Sequence, residues 1–292
     1  MFDSFLIVDW SAAASPRTGK DSIWCCLRRP DGTSDIANPP TRQDAAGWIE
    51  DRLVAERAAG RRVLAGFDFP VGYSSGFAAA LGLQGAPWKA TWDLLAGLVE
   101  DGPANANNRF EVANGLNRRL SGRDFPFWGH PHGRTYDHLS PRRPGGYGAL
   151  AEQRAADAGV KGTQPVWKLN GAGSVGGQAL TGIPVLHRLR FASRVADDVR
   201  VWPFETGWRA PDRQAGIVLA ELYPTPLTDP PPPGEPKDSG QVRGAARRLA
   251  ERDFSGNLES LFDPPAGTDI ETIRAVTTEE GWILGAPFDW VT

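Results

Sequence analysis

The stretch Phe5–Leu27, FLIVDWSAAASPRTGKDSIWCCL, decides how the rest of the chain is read. Phe5 to Val8 is a short apolar run closed by an acid, Asp9, the pattern of a buried strand that ends at a sheet edge. Trp10, Ser11 and a run of small residues follow, then a turn carrying Arg17, Thr18, Gly19 and Lys20. Ser22 to Leu27 is a second apolar run. The connection is long for a tight hairpin and short for a crossover helix, so the two strands are expected to pair antiparallel. A carboxylate leaving the sheet beside hydroxyls and positive charge reads as the first piece of a metal or phosphate site.

Working outward, residues 43–59 (QDAAGWIEDRLVAERAA) offer Ala45, Trp48, Ile49 and Leu53 to one helical face, and Gly60 ends the helix. RRVLAGFDFPVG then reads as a buried strand running into Asp68 and a turn with Pro70 and Gly72. The order strand, strand, helix, strand implies an α/β fold whose parallel strands deliver carboxylates to one sheet edge. The pattern resumes at Val199. VRVWPFETG predicts a strand ending near Glu205, and GIVLAELYPTPL another with Glu221 near its end. The prolines at 230–233 mark a stiff exposed turn. SGQVRGAARRLAERD is an amphipathic helix, TDIETIRAVTTEEG a final one, and WILGA closes the pattern. Residues 74–198 read as an insertion of helices and loops, with a long Gly-, Pro-, His- and Arg-rich loop at 122–148. The expected division is therefore a core of 1–73 and 199–292, a mixed sheet flanked by helices, with 74–198 packed on it.

Bulk composition narrows the function classes. The chain has 292 residues, a net charge of -3 and 40% hydrophobic residues, which is enough for a sizeable core and gives no global basic character for nucleic acid. Two adjacent cysteines, Cys25 and Cys26, are no disulfide framework. No signal-peptide pattern and no run of membrane-spanning length is seen. The expectation is a soluble cytoplasmic protein with no membrane partner. Eleven tryptophans, many beside Pro or Gly, are expected to anchor irregular loops to the core.

Four positions place acids where they can act together: Asp9, Asp68, Glu221, and Asp269 or Glu271. Mg²⁺ and Mn²⁺ take hard oxygen ligands, and a few carboxylates plus water suffice. Two such ions about 3.5–4 Å apart clamp both oxygens of a phosphoryl transfer. Other candidates accompany them. NNRFEVANGLN holds Asn108 and Arg109, the latter a phosphate or carboxylate clamp. NGAGSVGG contains G-x-G-x-x-G at Gly171, Gly173 and Gly176 but lacks a Rossmann context; it reads as a Gly-rich turn beside Lys168 and Gln178 that lets backbone approach a ligand. Glu205 stands ready to orient substrate or join the acids. His130, His132 and His138 share a loop with Asp137, which reads as a polar loop because no Cys partner or second tight motif accompanies it. No G-x-S-x-G elbow is present, which excludes the usual serine hydrolase pattern.

FLIVDWSAA…TGKDSIW, LAGFDFPVGY, AELYPTPL and EGWILGAP resemble the domain-of-unknown-function family 429 along the whole chain. The central blocks NNRFEVANGLN, PFWGHP, KLNGAGSVGGQ and VWPFETG resemble a longer branch of it. The family is described as predicted nucleases with a ribonuclease H-like fold. The resemblance implies catalytic acids at Asp9, Asp68, Glu221 and on the C-terminal helix at Asp269 or Glu271, with metal held by Asp9, Asp68, Glu221 and Asp269. The chain departs from the family where an Asp-Ala pair on that helix is replaced by DIETIRA, which weakens the implied metal site. The first-strand pattern also resembles sugar-kinase and actin-like ATPases, which implies that Ser11, Ser15, Thr18 and Lys20 surround nucleotide phosphates. The leading expectation is a Mg²⁺- or Mn²⁺-dependent phosphodiester hydrolase, with Arg109 and Lys168 positioning phosphate of a nucleic acid or nucleotide. The alternatives are a nucleotide-binding protein or small-molecule kinase, and a binding module with a decayed site.

Overall fold

The computed structural model describes residues 1–291. Six strands form one mixed sheet in the order β3-β2-β1-β4-β6-β5. They are β1 (Ser4–Asp9), β2 (Trp24–Arg28), β3 (Ser34–Ala37), β4 (Val63–Phe67), β5 (Val199–Val201) and β6 (Ile217–Glu221). β1, β2 and β3 form an antiparallel meander, as the short first connection requires. β1, β4, β6 and β5 run parallel, so their carboxyl ends open on the same edge.

Two points of the sequence reading change: a strand is gained and a strand is shortened. β3 is an additional strand, short and only partly buried, whose SDIA lacks an apolar run. The strand expected through VRVWPFETG stops at Val201, and Pro203, which has no N–H for a ladder, follows at once.

Strand side chains alternate between two apolar layers, so a carboxylate at a strand end inherits its face from the residues before it. Leu6, Val8, Cys25, Leu27, Ala65, Phe67 and Leu219 enter one layer; Phe5, Ile7, Trp24, Cys26, Leu64, Val218 and Ala220 enter the other. The first layer is covered by α1 (Arg42–Ala58) and by helices of the middle segment. These are α2 (Phe77–Ala80), α3 (Pro87–Leu98), α4 (Arg109–Leu120) and α6 (Val175–Phe191); the short α5 (Ala155–Ala158) packs on the second layer. The second layer is otherwise covered by α7 (Lys237–Phe254), α8 (Ile270–Ala275) and the segment that follows it. The middle segment thus shares one continuous core with the sheet.

Most tryptophans do anchor loops. Trp10, Trp92, Trp167 and Trp202 are fully buried. Trp88 stacks flat on Phe204 at 5.1 Å, tying α3 to the turn after β5. Among the described residues no helix is long and apolar enough to cross a membrane.

Candidate active site

β1 and β4 pair in register from Ser4–Val63 to Val8–Phe67. One further step sets Asp9 beside Asp68, and the N–H of Asp68 still donates to the Val8 carbonyl at 2.9 Å. By alternation both acids belong to the face covered by α7. They line a cavity of about 670 Å³ at the carboxyl ends of the parallel strands, where open α/β sheets bind their ligands. Its size is that of a nucleotide-scale site.

The electrostatics of this pair are unusual. No protein group donates a hydrogen bond to either carboxylate among the described residues. Burial, and then the charge of Asp68, push Asp9 well above the usual carboxylate range. Burial, with Glu221 and Asp238 nearby, pushes Asp68 up to about 7. Two adjacent acids without donors hold protons or a cation, because paired negative charge in a poorly solvated site is costly. Among the described residues no group of three or more His, Cys, Asp or Glu side chains is arranged to hold a metal ion unaided. Asp9 and Asp68 nevertheless suit a hard cation that completes its shell with water and a substrate oxygen, the usual mode for Mg²⁺.

Glu221 reaches the same cavity from the end of β6, in register with Phe67, but its oxygens are taken. Arg154, fully buried, donates to them at 2.7 and 2.6 Å and to both Asp157 oxygens at 2.9 Å. The Val71 N–H adds a third contact to Glu221 at 3.1 Å. Glu221 is therefore the acid of a buried ion-pair cluster, which corrects its expected role as metal ligand.

Asp269 and Glu271 lie outside the cavity. Asp269 is the N-cap of α8, accepting from the Thr272 N–H at 2.8 Å, and Glu271 is an exposed residue of its first turn. The helix that does bring an acid to the cavity is α7, through Asp238. One Asp238 oxygen accepts from the Asp21 N–H at 2.7 Å, fastening α7 to the loop between β1 and β2.

That loop is held from beneath. Arg42, buried at the start of α1, donates to the carbonyls of Ser11 and Ala13 at 3.0 and 2.7 Å while its fork grips Asp101 at 2.6 Å. Asn105, at φ +66°, donates to the carbonyls of Ser15 and Pro40. Ser11 lines the cavity. Lys20 is exposed and outside it, and Arg17 of the same turn lines it instead.

Arg109, the first residue of α4 and only 8% exposed, lines the same cavity. Its Nη1 donates to Asn107 at 2.8 Å, its Nε has no acceptor, and among the described residues no carboxylate pairs with it. Burial, then Arg42 and Arg134, bring its pKa down to about 10, so the guanidinium stays charged at neutral pH. Gln178 also lines the cavity and donates to the Trp10 carbonyl. Three other expected binding residues have structural duties elsewhere. Asn108 ties the start of α4 to Leu98 and Glu100. Lys168 donates to the Ala172 carbonyl at 2.6 Å and to Gln164 at 3.1 Å. Glu205 is locked by Arg190 at 2.8 Å.

The arrangement combines, in the lining of one nucleotide-sized cavity, a donor-free pair of acids and a buried cation without a carboxylate partner. No family model matches the chain, and neither a curated protein nor a solved structure matches it.

Proposed function

We propose that the protein is a divalent-cation-dependent phosphoester hydrolase, nuclease-like in its chemistry, acting on a substrate of nucleotide size. The observation that carries this reading is the pair Asp9 and Asp68, adjacent, half-buried and without a hydrogen-bond donor, facing the same cavity as Arg109. In it, Asp9 and Asp68 would hold Mg²⁺ or Mn²⁺ in their deprotonated forms. When bound, the ion supplies Lewis-acid charge and a water of lowered pKa. Arg109, whose guanidinium has no carboxylate partner, offsets the negative charge of the phosphate. Asp238, rather than Asp269 or Glu271, is the helix-borne acid of the site, and Ser11 and Gln178 line the path to it.

The sheet order supports reading the fold as ribonuclease H-like: an antiparallel three-strand meander followed by parallel strands, with acids at the ends of the first and fourth strands. This keeps the proposed kinship with family 429, with 74–198 as its insertion. Two buried free thiols, Cys25 and Cys26, on opposite faces of β2 fit a reducing cytoplasm. A cavity of about 670 Å³ favours a mononucleotide or chain end over the middle of a duplex.

The test is hydrolysis of a panel of phosphomonoesters, phosphodiesters and short oligonucleotides with Mn²⁺ or Mg²⁺. Metal-dependent turnover that falls by two orders of magnitude or more in Asp9→Asn, with unchanged folding, supports the reading. Turnover equal in wild type and Asp9→Asn, or none on any ester, refutes it.

A further inference from the structure

Gly171 to Ser174, with Arg109, form a pre-shaped oxyanion cradle; we infer that it binds the dianionic phosphate of a phosphomonoester, anchoring the substrate by its terminal phosphate. This deepens the phosphoester reading and rests on it for the chemistry that follows binding.

The backbone provides the first half of the argument. Gly171, Ala172, Gly173 and Ser174 all line the cavity immediately before α6, a helix of 17 residues. None of their four N–H groups has an acceptor within the protein among the described residues. Gly171 sits at φ +87° and Gly173 at φ +68°, conformations that side chains resist and that let successive N–H groups converge. A Cβ on Gly173 would also meet Gln164 at 2.8 Å. Lys168 holds the Ala172 carbonyl, so the N–H of Gly173 in the same planar peptide points the other way. Ser174, at the N-cap of α6, makes no side-chain cap bond; the N–H groups of Val175, Gly176 and Gly177 are taken by the carbonyls of Gly173, Lys168 and Ser174, so the free donors are those of residues 171–174.

Arg109 is the second, independent half. It is more than nine-tenths buried, lines the same cavity, and keeps donors unused. Its Nε lies 3.4 Å from where a side chain on Gly177, in the first turn of α6, would begin. Guanidinium and helix start are therefore neighbours. Four N–H groups and a guanidinium match three terminal phosphate oxygens, which a monoester dianion has and a diester lacks.

The experiment is a titration of the metal-free protein with inorganic phosphate, a nucleoside monophosphate and an unphosphorylated dinucleotide, read by calorimetry and by amide shifts of residues 171–174. Phosphate and the monophosphate are expected to compete for one site and move those amides. Arg109→Gln is expected to weaken both by roughly tenfold or more, and the unphosphorylated dinucleotide to leave the amides unmoved. Should Arg109→Gln fail to fold, the wild-type amide shifts alone decide. Unmoved amides, unweakened binding in Arg109→Gln, or binding of the dinucleotide alone overturns the cradle. Phosphate binding here without hydrolysis of any ester removes the proposed activity and leaves the cradle. Hydrolysis without phosphate binding does the reverse.

Discussion

In metal-free buffer this protein should lose stability as pH rises from 5 to 7, and Asp68→Asn should remove a defined share of that loss. A carboxyl raised from 3.8 to about 7 stays protonated in the folded chain after the unfolded chain has ionised. Its stabilising contribution is complete below about pH 3.8 and is lost as pH climbs through about 7. At about 1.4 kcal/mol per pH unit the full effect is roughly 4 kcal/mol. Integrated between pH 5 and 7, Asp68 alone accounts for about 2 kcal/mol. A chain of this length has an unfolding entropy of about 0.6 kcal/mol/K, so Tm falls by about 4 °C from that residue. Asp9 is pushed in the same direction by the same burial and adds to the slope. Asp68→Asn cannot ionise and relieves Asp9 of a neighbouring charge. The variant, which stays neutral in both states, should match wild type only below about pH 4, exceed it by about 3 °C at pH 5 and by about 6 °C at pH 7. Thermal melts across this range, with chelator present, read the effect. A wild-type Tm that is flat or rising from pH 5 to 7, or an Asp68→Asn variant no more stable at pH 7, refutes the reasoning.

Other perturbations separate site from scaffold. Arg154→Met leaves Glu221 and Asp157 buried without their fork and should cost about 3–5 kcal/mol in urea unfolding; a loss under 1 kcal/mol contradicts the assigned role. Asp269→Ala removes the α8 cap, should cost about 1 kcal/mol, and should leave Mn²⁺ binding intact; lost metal binding would restore Asp269 to the site. Arg42→Met frees the loop around Ser11 and Ala13, so proteolysis within residues 11–21 should quicken; an unchanged cleavage pattern counts against Arg42 as its anchor.

Asp9 and Asp68 are legible in the sequence because an apolar run that ends on an acid carries its own geometry. Strand length and pairing then do the rest, and register sets the two side by side. Glu221 ends an equally good strand, yet its role is decided by Arg154, 67 positions away in sequence, and no local pattern reveals that partner. Asp269 was open to a plainer reading: an Asp three residues before Thr272 at a helix start is an N-cap pattern. Asp238 stands in the first turn of a helix after a proline run, where an acid is ordinarily a solvated dipole partner. Only the packing of α7 on β1 and β2 brings it to the cavity. The glycines of NGAGSVGG signalled close backbone approach, but the fold was needed to set Arg109, some 60 residues earlier, against the same helix start.

The central claim is that Asp9 and Asp68 together accept a divalent cation. Calorimetric titration of Mn²⁺ into wild type and the Asp9→Asn/Asp68→Asn double variant, at pH 6.5 in two buffers of different ionisation enthalpy, tests it most directly. Because both acids hold protons in the free protein, wild type should bind with a buffer-dependent heat that reports proton release, and the double variant should not bind. Binding of equal strength in both proteins, or no binding to wild type with and without phosphate present, would contradict the account.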